Sequence, residues 1–248
     1  MTDELARAYA FLARADMGGE RTEGSSVGTA VYDDALPQRL DSNFLRVERE
    51  ADAETVRAET ERLDRRMIVV PDAALGESLV PAFEQWGWRI DRVLVMAQRR
   101  RPERDADLGL VREVREKDLR AARARLNAGQ PWGKPEVLEQ LFAGKHSIGA
   151  KVEARFFAVT MDGEVVSYTD LYQDGTEAQI EDVGTLEEHR GHGYASAVML
   201  AAIAEARKRG AEFVFLVADK EDWPQELYRR LGFDELGYYV KFVSPDLA

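Results

Sequence analysis

Ile180-Glu181-Asp182-Val183-Gly184-Thr185-Leu186-Glu187-Glu188-His189-Arg190-Gly191-His192-Gly193-Tyr194-Ala195-Ser196 reads as a strand that runs through a glycine turn straight into a helix. Gly191 and Gly193 place no Cβ between the backbone and an incoming anion. The first N–H groups of the helix have no partner inside it, so they converge on one point with the positive end of the helix dipole behind them. Such a corner suits a pyrophosphate, and Arg190 adds a fixed positive charge at its mouth.

Several phosphate-binding corners share this look. The P-loop pattern fails, because no Gly-Lys-Ser/Thr follows the glycines. The dinucleotide fingerprint nearly fits: Gly191 and Gly193 match, Ser196 stands where a third glycine belongs, and Asp219 follows further on. That fingerprint sits in a parallel β-α-β unit. Here the corner follows three closely linked strands, over 155–160, 164–172 and 178–183. Met161-Asp162-Gly163 and Gln173-Asp174-Gly175-Thr176 join them, links too short for parallel neighbours, so an antiparallel meander is predicted.

Upstream of the meander, 108–114 reads as a strand, and 118–127 and 136–142 carry helical spacing. Downstream, Val198, Met199, Ala202, Ile203 and Ala206 form the buried stripe of a helix over 194–209, which ends in cations and Gly210. Phe213-Val214-Phe215-Leu216-Val217 suits a strand covered on both faces, 225–231 a short helix, and 238–243 a last strand. The first part repeats a β-α-β-α-β order over 43–47, 53–63, 67–70, 75–86 and 93–96. Its corner Phe83-Glu84-Gln85-Trp86-Gly87-Trp88 parallels Tyr228-Arg229-Arg230-Leu231-Gly232-Phe233, which suggests an internal duplication. Gln98-Arg99-Arg100-Arg101-Pro102-Glu103-Arg104-Asp105 is wholly polar and reads as a linker. The expected fold class is α/β (α+β), a mixed, mostly antiparallel sheet flanked by helices. The expected domains are 1–98, a linker over 99–106, and 107–248.

Composition narrows the chemistry. In 248 residues there is no cysteine, so disulfides, thiolate nucleophiles, acyl-cysteine intermediates and cysteine-held metals are excluded. With three histidines (His146, His189, His192), a metal centre is not expected. The 46 acidic residues against 34 basic ones give −12, a charge that repels nucleic acid. No apolar run is long enough for a membrane span, and the start Met1-Thr2-Asp3-Glu4-Leu5 is acidic where a signal peptide would be basic, so a cytoplasmic location is expected.

The pattern Arg190-x-x-Gly193-x-Ala195 after a strand resembles the coenzyme A pyrophosphate signature of the GNAT superfamily of N-acetyltransferases. The resemblance spans about residues 107 to 243 and includes a second corner, Leu227-Tyr228-Arg229-Arg230-Leu231-Gly232-Phe233. It implies acetyl-CoA as co-substrate, with no metal. Pantetheine would bond the backbones of Val183 and Thr185, and the pyrophosphate would take backbone N–H groups of Gly191, His192, Gly193, Tyr194, Ala195 and Ser196 beside Arg190. Glu187 stands where the family often has proline, which bears on the stiffness of the loop.

Acyl transfer to an amine needs a base, since a free amine with a pKa near ~10 is protonated at neutral pH. Glu181, two residues before Val183, is the leading base, directly or through water. Strand alternation would turn Asp182 to the opposite face. Tyr228 stands where the family often places the tyrosine that protonates the departing thiolate, and Trp132 lies in the link where the family shapes its acceptor pocket. The expected acceptor is a small amine, with neither nucleic acid nor membrane as partner; a homodimer stays open. A non-catalytic acyl-CoA-binding sensor and a nucleotide-dependent oxidoreductase are the rival readings. The first part has Glu48-Arg49-Glu50-Ala51-Asp52 where the loop would be, without glycine and with three acids, so it reads as a degenerate half that binds no coenzyme.

Overall fold

The computed structural model describes residues 2–15, 19–130, 133–221 and 224–245. The chain divides into two compact units. Unit 1 comprises Met1–Val95, Ala218–Asp222 and Leu236–Ala248; unit 2 comprises Met96–Val217 and Trp223–Glu235.

Unit 1 begins with helix α1 (Asp3–Arg14), which the Thr2 hydroxyl caps, and the hairpin β1 (Arg21–Gly24) and β2 (Gly28–Tyr32). Strand β3 (Phe44–Val47), helix α2 (Ala53–Arg62), strand β4 (Met67–Val70), helix α3 (Ala73–Gln85) and strand β5 (Arg89–Gln98) follow the predicted order. β2 runs antiparallel to β1 and β3, while β3 runs parallel to β4. All four residues of β4 are buried, so both its edges need partners. The second is the final strand of the chain, β11 (Phe233–Val243), where Val240 to Val243 pair antiparallel with Val70 to Met67. The compact units therefore give this strand from Leu236 to unit 1, whereas the reading along the chain attached it to the second part. One core, with Leu45, Val56, Ile68, Phe83, Val240 and Phe242, joins both helices α2 and α3 to the sheet.

Unit 2 carries β6 (Val111–Val114), preceded by a single 3-10 turn at Leu108–Leu110 where a longer strand is predicted. Helices α4 (Arg120–Asn127) and α5 (Pro135–Gly149) come next, α5 running two turns beyond its expected end. The meander is β7 (Glu153–Met161), β8 (Glu164–Asp174) and β9 (Glu177–Thr185), antiparallel throughout. Asp162 at φ +51° and Gly163 at φ +85° make the first hairpin turn, in the sense that matches strand twist. Helix α6 (Tyr194–Lys208), strand β10 (Phe213–Asp219) and helix α7 (Pro224–Arg230) complete the unit. The ladder order is β6-β7-β8-β9-β10. β8 is buried from Val166 to Gln173, because helices cover it: α4 packs Leu119-side apolar residues and Ala122 on Tyr168, and α6 packs against β7, β8 and β9. The fold class is thus the expected mixed, mostly antiparallel α/β arrangement. Among the described residues, no helix is long and apolar enough to cross a membrane.

Candidate functional site

The glycine corner lies at the C-terminal end of β9. After Leu186 a 3-10 turn over Glu187–His189 leads to Arg190, then Gly191 and Gly193 both adopt φ +80°. That left-handed backbone favours glycine, and a Cβ at either position would meet nothing within 4 Å, so the corner presents open main chain to solvent. Gly193 is the N-cap of α6 and no side chain caps the helix, which leaves its first N–H groups available to an anion. The turn at Glu187 is closed by His189 N–H to Leu186 O (2.9 Å) and Arg190 N–H to Glu187 O (3.1 Å), and Glu188 is ion-paired with Arg125 of α4. The His192 ring lies 2.9 Å (Nδ1) from the Arg190 carbonyl and stacks on Tyr194. The exposed Arg190 side chain reaches Thr185 O at 3.4 Å.

β9 has a partner on each side for only part of its length. The parallel ladder with β10 joins Phe213–Phe215 to Glu177–Gln179, and beyond those pairs the two strands part. From Ile180 to Thr185, β9 keeps β8 on one edge and shows no ladder partner on the other among the described residues. Glu181, Val183 and Thr185 on this stretch are all half-buried, and the strand leads on to the glycine corner. This brings the predicted thioester segment and the predicted pyrophosphate loop into one run.

The strand is also bulged. Asp170 faces Glu181 and Tyr168 faces Gly184, so two steps along β8 span three along β9, and Asp182 takes φ +51°. The extra residue resets the alternation. Asp182 therefore does not turn away from Glu181's face as strand alternation predicts. It accepts a hydrogen bond from Arg123 Nε (2.8 Å), the same guanidinium that donates to Asp170 (2.5 Å) and Glu116 (3.1 Å). Gly184 is required here, because the Tyr168 ring stands 2.5 Å from where its Cβ would be.

Around the bulge lies a buried charge network that sequence reasoning missed. Arg123 is 2% exposed and Asp170 is fully buried. Lys145 of α5 sits 3.1 Å from Asp170 and 3.4 Å from Asp182, and the Tyr172 hydroxyl donates to Asp170 at 2.8 Å. Burial opposes charge on Lys145, but Asp170 and Asp182 outweigh it and hold the ammonium well above its ordinary pKa. Burial likewise pushes Asp182 up, yet Lys145 and Arg123 prevail and keep it below the usual carboxylate range. Asp170, with burial dominant, is raised. The Glu181 carboxylate accepts from Gln179 Nε2 at 2.9 Å and adds its field to Lys145. The available signal was Asp170 itself, a carboxylate in the middle of a strand with apolar or aromatic residues on both sides (Val165, Val166, Tyr168, Leu171, Tyr172), together with Arg123 between Ala122 and Leu126 on the inward stripe of α4.

Tyr228 is half-buried on α7 with its ring edge-on to Phe233 (6.4 Å between centroids). The corner after it is fixed by Gly232 at φ +92°, where a Cβ would lie 2.1 Å from the Arg100 carbonyl oxygen. Trp132 lies outside the described residues. Among the described residues, no group of three His, Asp or Glu side chains is placed to hold a metal ion.

Residues 118–233 match the model of the acetyltransferase (GNAT) family, the stretch that contains the corner, the bulged strand and the charge network. That stretch is therefore similar to the GNAT acetyltransferase domain. Its fold is similar to that of a functionally unknown protein from Staphylococcus epidermidis (16% identity, TM-score 0.71, 92% of this chain and 94% of that one). It is also similar to a GCN5-related N-acetyltransferase from Kribbella flavida (18% identity, TM-score 0.60, 99% and 96%). A tandem GNAT protein of the clavulanic acid biosynthesis pathway aligns at 15% identity and TM-score 0.54, over 98% of this chain and 94% of that one, in keeping with a two-part organisation. No curated protein matches the sequence.

Proposed function

We propose that the chain is an acetyl-CoA-dependent N-acetyltransferase that acylates a primary amine of a small acceptor by direct attack in a ternary complex. One observation supports this above the others: the open, uncapped corner from Gly191 to Ser196 continues into the unpaired edge of β9. Backbone N–H groups there suit a pyrophosphate and Arg190 its charge, while Val183 and Thr185 would orient the pantetheine arm. Bound at that corner, the coenzyme supplies an activated acyl thioester.

The chain's own groups then divide the proton transfers. Glu181, which shares the bulged segment, takes the proton from the acceptor ammonium directly or through a water. Asp170 and Asp182 are engaged by Arg123 and Lys145, so Glu181 is the carboxylate of this cluster best placed to act as base. A main-chain N–H of β9 would meet the charge that develops on the carbonyl oxygen. Tyr228 would return a proton to the departing thiolate; a phenol pKa of ~10 suits a thiol leaving group. Trp132 would wall the acceptor pocket.

We read unit 1 as a degenerate GNAT-like half without a coenzyme site. The N-cap of α2 is Asp52, whose carboxylate accepts the Thr55 N–H at 2.8 Å and is held below its ordinary pKa by that bond, so an internal anion already occupies the helix end. The acidic surface fits an enzyme of the cytoplasm that meets small amines rather than nucleic acid or membrane.

The test pairs binding with turnover. Wild-type protein should bind acetyl-CoA by calorimetry and release thiol with some member of an amine library. Gly193→Glu should abolish binding, because its carboxylate enters the phosphate position, while Gly193→Ala, with the same ~1–2 kcal/mol backbone strain, should weaken it less. Normal acetyl-CoA binding by Gly193→Glu would refute the loop assignment.

A further inference from the structure

Unit 1 contains a cleft of about 1090 Å³, slightly above the range of roughly 300–1,000 Å³ common for small-molecule sites. It lies at the C-terminal ends of β3 and β4, under α1 and beside β11, the place in the β-α-β-α-β order that corresponds to the glycine corner of unit 2. Its walls are mostly apolar, with Phe44, Leu75 and the rings of Tyr9, Tyr238 and Tyr239 among them.

The charges at its mouth are inverted relative to a phosphate site. Glu48, Glu50 and Asp72 line the cleft against a single cation, Arg46. Arg46 is held by Glu48 at 2.8 Å, and Glu48 also accepts from the Thr29 hydroxyl at 2.7 Å. Glu50 is exposed and has no ion-pair partner among the described residues. The N-terminus of α3 would otherwise attract an anion, but Asp72 closes it by accepting the Leu75 N–H at 2.9 Å. Lysines stand over two of the rings, Lys220 on Tyr238 (3.8 Å) and Lys241 on Tyr239 (5.9 Å). Lys241 is paired with Asp41 at 2.8 Å and Lys220 acts on Glu77, and neither lines the cleft. The Tyr9 hydroxyl, on a residue that does line it, is buried without a hydrogen-bond partner among the described residues.

We propose that this cleft is a second binding site, specific for an organic ammonium: a cationic amine head between Glu50 and Asp72, with an aromatic or alkyl body against Leu75 and the tyrosines. Carboxylates and aromatic faces both favour a cation, the apolar wall favours a hydrocarbon body, and the same carboxylates repel phosphates and carboxylates. The site is separate from acyl transfer in unit 2 and does not depend on it.

The test uses the full chain without coenzyme and three probes of one shape: phenethylammonium, 2-phenylethanol and 3-phenylpropionate, titrated by calorimetry at low salt. The ammonium should bind saturably, the alcohol more weakly and the carboxylate least. Glu50→Gln with Asp72→Asn should weaken the ammonium about five- to tenfold, as expected for two partly screened ion contacts, while asparagine keeps the helix cap. Ala10→Trp, on the exposed side of α1 that lines the cleft, should abolish binding by filling it. Glu181→Gln should leave the ammonium affinity unchanged. The proposal is overturned if no probe saturates, if alcohol or carboxylate binds as well as the ammonium, or if Ala10→Trp binds normally. Loss of binding in Glu181→Gln with retention in the unit 1 variants would also overturn it, and would place the amine in the acceptor site instead.

Discussion

Arg123→Met tests the charge network directly. Methionine fills much of the same space, so what is removed is the guanidinium and its bonds to Asp170 (2.5 Å), Asp182 (2.8 Å) and Glu116 (3.1 Å). Removing one partner of a buried pair costs about 3–5 kcal/mol, because the other charge stays behind without water. Asp170 keeps Lys145 at 3.1 Å and the Tyr172 hydroxyl at 2.8 Å, which points to the lower end, about 3 kcal/mol. For a chain of this length that lowers the melting temperature by roughly 6–12 °C. Arg123→Met/Asp170→Asn removes the stranded charge as well and should recover about half of the loss. Urea midpoints of the two variants and wild type, with the m-value checked for constancy, give the comparison. If Arg123→Met costs less than about 1 kcal/mol, or the double variant is worse than the single by the full cost of a second buried defect, the network does not stabilise the fold around the bulge.

Three further outcomes follow from the same geometry. Asp182 has its folded pKa depressed by Lys145 and Arg123, so it contributes stability above the unfolded carboxylate value of ~3.9 that is lost as pH falls through the lower folded value; Asp182→Asn should flatten the decline in urea midpoint between about pH 4 and pH 2. A midpoint decline as steep as wild type would show that Asp182 carries no such term. Tyr228→Phe should lower kcat more than it raises KM, since the phenol is needed only as the thiolate departs, and an unchanged kcat removes it from the mechanism. Gly232→Ala should destabilise by at least about 3 kcal/mol, because φ +92° and a carbonyl oxygen 2.1 Å from the new Cβ both oppose it; thermal melting within 2 °C of wild type would contradict that corner geometry.

The backbone of the candidate site was readable along the chain because it is local. The glycine corner needs only Gly191 and Gly193, whose lack of a Cβ is a property of the residues themselves, followed by the apolar stripe of α6. The hairpins at Asp162-Gly163 and Gly175 are likewise local, and they fix the meander. The signal in the first 42 residues is uneven: α1 carries Leu5, Ala8, Phe11 and Leu12 at helical spacing behind the Thr2 cap, whereas β1 is exposed at every position and has no apolar pattern. The face of Asp182 was misread because alternation assumes an unbroken ladder, and a bulge depends on the partner strand.

The division between the two kinds of information follows from range. Short-range physics in the sequence determined the phosphate-type corner, the order of strands and helices, and the exclusion of thiol chemistry, since each rests on a residue type or on neighbours a few positions apart. Tertiary structure alone decided that Arg123, Lys145, Asp170 and Asp182 meet, that β11 from Leu236 lies beside β4, and that the cleft of unit 1 is walled by α1, α3 and β11. Those contacts join segments tens to more than a hundred residues apart, and whether a charge is buried or solvated there depends on which surfaces pack over it rather than on its neighbours in the chain.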